Sequence, residues 1–394
     1  MQIYFPSSKK IIVLALGAES AGNFSVFREK KIYLSKDFGD LLEERNWRRY
    51  QMVVLEFLKK NKLKPDIILA DLHPLFQTTL WGKELAQKYK ARFIQIQHHH
   101  AHIFSAVGDC FTDDSSYILP NIFYGIACDG TGYGEDGKIW GGEVFAIRSQ
   151  KTKSKNQKIL RIGHLENQLM TSGDLSVREP ARMLIGILYK FLDKNKIYFL
   201  VKKYYRQNQF ELIYNQLTQN FNCLETSSAG RVLDAVSILL SFCGNKRKYK
   251  HAPIEKLEKK STVPYLDLKT EIIFDAQEKM HILRTTPLFE YLLQNIGRDK
   301  KRLAATAQLY IAEGLYEIIS KSQKTKNKKR NNIFISGGIA NNKIISEYLI
   351  SKGAYVKKNI HPVKSGQTFN NVPRGDAGLS FGQIIYYLSA NSRN

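Results

Sequence analysis

Four of the nine histidines in this 394-residue chain fall within five positions, in Gln97-His98-His99-His100-Ala101-His102. The alternating stretch Ala91 to Gln97 reads as a strand that runs into the cluster, and the apolar run Ile103 to Val107 reads as the helix that leaves it. A helix starting near His98 places His98 and His102 at i and i+4 on one face. Two imidazoles stacked in this way at a strand–helix junction hold one metal ion. No Glu lies between them, so the zinc-protease motif does not apply. An isolated pair is as well explained by a histidine-rich turn; four imidazoles in five positions favour a metal site.

Two carboxylates stand where they can complete such a site. Asp129 opens Asp129-Gly130-Thr131-Gly132-Tyr133-Gly134 at the end of the buried run Ile122 to Cys128. A carboxylate with glycines on a strand-to-strand turn cradles phosphate and places a metal-bound oxygen, although an ordinary glycine hairpin has the same look. Asp376, in Arg374-Gly375-Asp376-Ala377-Gly378, precedes the helix Leu379 to Leu388 and reads either as its N-cap or as a third ligand. Two histidines with one or two carboxylates suit iron(II) or zinc with positions open to a substrate oxygen.

Other turns suit an anionic or nucleotide ligand. Gly17-Ala18-Glu19 ends the strand Ile11 to Leu16 and brings backbone close to a phosphate, unless Gly17 serves a turn alone. Gly337-Gly338, in Ser336-Gly337-Gly338-Ile339-Ala340-Asn341-Asn342, lies between a strand and a helix, where a ribose or base packs on bare backbone. Arg178 and Arg182 flank a helix start and suit an anion, or an ion-pair set at the surface. Ser227 to Val236 reads as a capped helix carrying one inward Asp, and His73 of Asp71-Leu72-His73-Pro74 is either a substrate contact or a loop histidine.

Composition limits the classes open to the chain. At 43% hydrophobic, 394 residues supply two cores, and no apolar run is long enough for a membrane helix. The start lacks a secretory signal's apolar centre, and four scattered cysteines without a CxxC pair fit a reducing cytoplasm. A net charge of +24, from 60 Lys+Arg against 36 Asp+Glu, raises nucleic acid or an acidic protein as partners, or is a Lys-rich solvated surface. The basic runs 151–158, 246–250 and 321–330 fall between elements and read as solvated loops.

The first half runs three strands, helix, strand, helix, strand, helix; the second restarts at Ile122 with strand, glycine-rich turn, strand. This order predicts an α/β protein with two duplicated ribonuclease-H-like lobes across a cleft, the ASKHA fold of actin, sugar kinases and heat-shock chaperones. The lobes are expected at residues 1–120 and, with helical insertions, 121–394.

The eight segments LALGAE, DLHP, QHHHAH, DGTGYGEDGKIWGGE, REPAR, SSAGRVLDAV, SGGIANN and GDAGLSFGQ, in this order, resemble the carboxy-terminal carbamoyltransferase domain of HypF, the hydrogenase maturation family. The resemblance implies transfer of a carbamoyl group from carbamoyl adenylate to the carboxy-terminal cysteine of HypE, on the way to the cyanide ligand of nickel–iron hydrogenase. It implies that His98, His102, Asp129 and Asp376 are catalytic metal ligands, for iron or zinc, with magnesium as a further ion. Gly17, Ala18, Glu19, Gly130, Thr131, Gly132, Arg178, Gly337, Gly338 and Asn342 would then hold ATP or carbamoyl adenylate. The HypE thiol would be the nucleophile.

The chain also departs from that family. The acylphosphatase-like, zinc and YrdC-like domains that precede this domain find no room here, so a separate YrdC-like protein is expected to supply the adenylate. A YEGQAA-like segment is replaced by Tyr249-Lys250-His251-Ala252-Pro253-Ile254, and a Phe-His pair by Ala307-Gln308. Two other readings stay open: a related carbamoyl or threonylcarbamoyl transferase acting on tRNA or a small-molecule hydroxyl, and a non-catalytic nucleotide-binding subunit.

Overall fold

Val13–Ala15, with all three side chains buried, forms the middle of the first sheet. The structure, a computed structural model, describes all residues except 6, 8, 114–119, 149–157, 250, 323–331, 357–371, 374 and 391–394. The basic runs expected at 151–158 and 321–330 therefore lie almost wholly outside the described residues.

The first sheet contains β1 (Gln2–Tyr4), β2 (Val13–Ala15), β3 (Ser25–Arg28), β4 (Lys31–Leu34), β5 (Ile67–Asp71) and β6 (Arg92–Ile96), in the order β1-β4-β3-β2-β5-β6. β2 runs antiparallel to β3 and parallel to β5, and β5 is parallel to β6. The second sheet contains β7 (Ile122–Tyr133), β8 (Ile139–Arg148), β9 (Lys158–Leu165), β10 (Gln168–Thr171), β11 (Cys223–Thr226), β12 (Ile272–Asp275), β13 (Met280–Leu283), β14 (Ile333–Ser336) and β15 (Ala354–Val356). Its main path is β12-β13-β9-β8-β7-β14-β15, and β10 with β11 pairs off β8. Here β7 is antiparallel to β8 and parallel to β14, and β14 is parallel to β15. The paths β4-β3-β2-β5-β6 and β9-β8-β7-β14-β15 are the same motif twice. This is the duplication expected from the strand order.

Helices cover the sheets in layers. α1 (Glu44–Lys60) and α2 (Gln77–Tyr89) close one face of the first sheet, burying Tyr50, Val54, Leu58, Trp81 and Leu85 against Leu14, Leu16 and Ile68. The second sheet carries α4 (Asp174–Arg178), α5 (Pro180–Leu188), α6 (Lys194–Val201), α7 (Gln207–Thr218), α8 (Ala229–Leu239), α9 (Ala252–Lys260), α10 (Thr286–Gln294), α11 (Lys300–Ser322) and α12 (Lys343–Ser351). α5, α8 and α11 are almost wholly apolar where they meet, and their side chains join Ile126, Val144 and Ile335 in one core. Between the sheets lie α3 (His98–Asp113) and α13 (Leu379–Ala390), whose residues share a third core with Ala15, Phe27, Phe123 and Phe334.

The last helix, α13, lies within the expected 121–394 lobe and packs against β2, β3 and β5 of the first sheet. Polar ties hold it there: Gly17 N donates to Gln383 Oε1 at 3.0 Å, Ser25 and Ser380 hydroxyls are 2.9 Å apart, and Asn23 bonds Ser380 and the Ala377 carbonyl. One expectation changes, at Asp129. The glycine-rich segment read as a turn is the continuation of β7, with a register break between Cys128↔Gly142 and Gly132↔Trp140, while the reversal falls at Gly134–Lys138, in agreement with a hairpin through Glu135-Asp136-Gly137. Three residues of β7, 129–131, oppose one of β8 across that break, a bulge that bends the strand and redirects side chains.

α3 and α13 meet backbone to backbone. A Cβ at Gly382 would collide with the Ala101 carbonyl, and one at Gly108 would stand 2.6 Å from the Phe381 ring. Gly382→Ala therefore raises intrinsic helix propensity by about 1 kcal/mol but forces the helices apart at a cost of roughly 1–3 kcal/mol. The expected outcome is a net loss of stability in denaturant titration, accompanied by weaker metal binding, because α3 carries the histidines.

Candidate metal centre and substrate cleft

Gln97 starts the helix that presents the histidines. Its Oε1 accepts from the backbone N–H groups of His99 at 2.6 Å and His100 at 3.0 Å, the role of a side-chain N-cap. The i, i+4 pair then faces β7, where Gly132 leaves room for it: a Cβ there would sit 2.5 Å from His99 Cε1 and 2.9 Å from His98 Cδ2. The bulge turns Asp129 toward the pair, and the 3₁₀ turn Gly375–Gly378, leading into α13, brings Asp376.

The four side chains converge. One ligand atom from each of His98, His102, Asp129 and Asp376 lies within 4.8 Å of all the others. His98 Nε2 is 3.4 Å from Asp129 Oδ2 and 3.7 Å from Asp376 Oδ1; His102 Nε2 is 3.4 and 3.3 Å from the same atoms. Those separations are long for hydrogen bonds, yet three of the four match, and the fourth at 3.7 Å slightly exceeds, the spacing of about 3.3–3.5 Å between tetrahedral ligands that each stand about 2.0–2.1 Å from one ion. Both Nε2 atoms are buried without a hydrogen-bond partner among the described residues. The donor set and its spacing fit a divalent cation.

A second layer orients the ligands. His98 Nδ1 donates to Asp71 Oδ2 at 2.7 Å, which leaves Nε2 as the lone-pair donor toward the cluster. Asp71 is in turn fixed by the His73 backbone N–H at 2.9 Å. Gly338 N donates to Asp129 Oδ1 at 2.9 Å, and Ser20 bonds Asp376. Gly337 adopts φ +107°, and a Cβ there would collide with the Cys128 carbonyl, so only glycine permits the turn that aims this amide.

Electrostatics express the same demand. Burial alone would lower the His98 pKa, but Asp71 and the contacts with Asp129 and Asp376 raise it well above the usual value. His102 is raised against burial by Asp129 and Asp376. Asp129 is held well below the usual carboxylate range, despite burial, by His102 and His98. A field that draws a proton onto two buried imidazoles equally favours a metal cation. His99 and His100 differ: burial lowers them to about 3 and about 4, so they are neutral core imidazoles.

The quartet borders a cleft of about 210 Å³ lined by residues of both halves, among them Glu19, Asp40, Phe76, Thr131, Arg231 and Arg247. Of the positions assigned to nucleotide, Ala18, Glu19, Gly130 and Thr131 line it. Gly17, Gly132, Arg178, Gly337, Gly338 and Asn342 are not among the lining residues. Each of the last group has another task or position. The amides of Gly17 and Gly338 are engaged by Gln383 and Asp129, and Gly132 makes room for imidazoles. Arg178 is exposed on α4. Asn342 caps α12 through Ile345 N and bonds Gln308 Oε1 at 2.6 Å. Arg182 pairs with Glu179, and His73 stacks on Phe76 at 4.2 Å. Sequence reasoning missed Asp71 as the partner of His98, and Arg231 and Arg247 as cleft residues. The run at 246–250, expected to be a solvated loop, instead buries Arg247 against Asp234.

Comparison with known proteins agrees with this geometry. A family model described as "Carbamoyltransferase, Kae1-like Domain, second subdomain" matches residues 125–383, and one described as "HypF Kae1-like domain" matches residues 8–109. The probable carbamoyltransferase HypF of Methanocaldococcus jannaschii is 36% identical over 96% of this chain and 46% of its own length. The carbamoyltransferase HypF of Rhodobacter capsulatus is 23% identical over 95% of the chain and 46% of its own. Two solved structures superpose over nearly the whole chain. Full-length HypF in its phosphate- and nucleotide-bound form gives a TM-score of 0.81 at 23% identity, covering 98% of this chain and 47% of that one. HypF of T. kodakarensis gives 0.79 at 28%, covering 99% and 49%. The chain thus spans about half the length of the relatives it matches. The layered fold is the two-lobe, actin-like architecture expected from the strand order. This chain belongs to the HypF family, and its 394 residues correspond to that family's Kae1-like carbamoyltransferase domain.

Proposed function

We propose that this protein is a metal-dependent carbamoyltransferase, moving a carbamoyl group from carbamoyl adenylate to the carboxy-terminal cysteine thiol of a HypE-like protein in the cytoplasm. The carrying observation is the buried His98–His102–Asp129–Asp376 quartet at the edge of a cleft, in a chain that matches HypF over 96% of its length. In the reaction the thiol gives up its proton to solvent and its sulfur attacks the carbamoyl carbon; a C–S bond forms, the C–O bond to the adenylate phosphate breaks, and AMP leaves with that electron pair. The adenylate is made by a YrdC-like unit outside residues 1–394.

A divalent iron or zinc ion bound by the quartet supplies Lewis-acid polarisation of the carbamoyl carbonyl. The protein's own part is orientation. Asp71 fixes the His98 tautomer, Gly338 holds Asp129, and the sheet-to-sheet helices set the two imidazoles against the two carboxylates. None of the four cysteines is paired in a disulfide, in keeping with a reducing compartment, and the nucleophile is the acceptor's thiol. Among the described residues no helix is long and apolar enough to cross a membrane.

The deciding experiment is single-turnover transfer from preformed, labelled carbamoyl adenylate to a HypE carboxy-terminal peptide. Labelled thiocarbamate is the expected product; a metal- and nucleotide-loaded protein that gives none would overturn the acceptor assignment. His102→Ala is expected to abolish metal retention in elemental analysis while the chain stays folded. Asp71→Asn, which keeps shape but removes the charge on His98 Nδ1, is expected to weaken metal binding roughly 10- to 100-fold. Full metal content and activity in His102→Ala would sink the mechanism.

Proton competition gives a pH signature. His98 and His102 have raised pKa values in the metal-free protein, so the stability they contribute is complete below the ordinary histidine value and is lost as pH rises through their raised values. Metal binding needs both imidazoles neutral and so strengthens over the same rise. The melting-temperature difference between metal-loaded and chelator-treated protein is therefore expected to widen from acid to alkaline pH. A difference independent of pH would contradict histidine ligation.

A further inference from the structure

The anionic end of the cleft is accounted for by the metal quartet; a cationic group in the same cleft is not. Arg231, on α8, and Arg247, in the loop before α9, both line the cleft. Each guanidinium places Nη2 on one oxygen, Asp234 Oδ2, Arg231 at 2.9 Å. The three side chains are 3%, 8% and 1% exposed. Asp234 balances one of the two guanidinium charges, so a further anion beside the pair is favoured.

The pairing is also incomplete. Arg231 Nε makes no hydrogen bond among the described residues, and neither does Asp234 Oδ1. One arginine already neutralises Asp234, so the second brings a charge that this carboxylate does not balance. Both arginines are held at their backbones: Arg231 N donates to the capping Ser228 hydroxyl at 3.0 Å, and Arg247 N donates to the Arg178 carbonyl at 2.9 Å. Arg231 also lies under the bulge that carries Asp129, its Nη2 3.7 Å from where a Cβ on Gly130 would stand. The amides first assigned to the anion are meanwhile engaged at Gly17 and Gly338.

We propose that Arg231 and Arg247, oriented by the positioning residue Asp234, form the oxyanion subsite of this cleft and take the 5′-phosphoryl group of a nucleotide ester. The proposal rests on the nucleotide part of the functional reading, and not on the identity of the carbamoyl acceptor. Guanidinium forks suit phosphate oxygens, and a fixed carboxylate behind them keeps both forks in place with little reordering when the ligand arrives.

Calorimetric titration of the metal-loaded full chain with AMP, adenosine and inorganic phosphate tests it. The wild type is expected to bind AMP more tightly than adenosine. Arg247→Gln leaves a neutral Arg231–Asp234 pair, so folding and metal content should persist, while AMP affinity falls roughly 10- to 100-fold and adenosine affinity stays unchanged. Arg247→Lys should restore part of the loss. A second arginine with only a structural role would lower the melting temperature and leave the AMP-to-adenosine ratio alone, and that result overturns the proposal. Should Arg247→Gln fail to fold, the double variant Arg247→Gln with Asp234→Asn reads the same ratio. Inorganic phosphate that depends on Arg247 but is not displaced by AMP would overturn the nucleotide assignment. Carbamoyl transfer that fails with the ratio intact sinks the transfer reading alone; a ratio that is absent while transfer proceeds sinks the subsite alone.

Discussion

An excess of buried negative charge organises this molecule. Asp71, Asp129 and Asp376 surround His98 and His102 with side chains no more than 10% exposed. With neutral imidazoles, three carboxylates would crowd one largely buried space at the edge of the cleft, an arrangement that favours a compensating cation. In the metal-free protein, protons drawn onto the imidazoles provide part of that compensation, which is why both pKa values rise against burial. Among the described residues no hydrogen bond reaches either Nε2 atom.

The duplicated topology explains how four ligands from distant parts of the chain reach one point. Each half has a central strand, an antiparallel meander on one side and two parallel strands on the other. In each half a helix follows the outermost of these parallel strands, α3 after β6 and α13 after β15, and the two helices lie against each other between the sheets. His98 and His102 come from the start of one, and Asp376 from the turn before the other. Asp129 comes from the bulge within the second half's central strand, a place that corresponds to Gly17 just beyond the first half's central strand. Close approach at Gly382 and Gly108 lets the helices draw these groups together, so stability and ligand geometry depend on the same contact.

The legible parts of the sequence were those governed by local periodicity. Helical spacing identified His98 and His102, because i and i+4 share a face whatever packs against it. The strand–helix alternation of the first half was readable for the same reason, with β6 falling within one residue of the expected Ala91 to Gln97. What eluded the sequence was set by distance. The bond from His98 to Asp71 spans 27 residues, and the contact of Gly338 with Asp129 spans 209. A glycine-rich segment reads as a turn, yet residues 129–133 stay in β7, because β8 pairs with them again beyond the bulge. The turns at Gly17 and Gly337-Gly338 read as nucleotide cradles, and the fold adds that the Gly17 and Gly338 amides donate to Gln383 and Asp129. Arg247, within a basic run, became a buried residue because Asp234 waits for it 13 residues away.

The two departures from the HypF pattern fall in different physical settings. Gln308, in place of a histidine, is buried in α11, where its amide bonds the Ser261 hydroxyl at 2.6 Å and the Asn342 side chain at 2.6 Å. Ala307 beside it is wholly enclosed. That change alters how α11 braces α12 and reaches no cleft surface. His251 and Ile254, from the other altered segment, line the cleft with the two arginines. The His251 ring also lies 3.6 Å from where a Cβ on Gly338 would stand, beside the amide that holds Asp129. A segment with histidine and proline in place of a carboxylate therefore sets the charge and shape of this wall of the cleft, while the candidate metal quartet is carried by other elements. The quartet and the altered wall are thus built by separate stretches of chain that meet at Gly338.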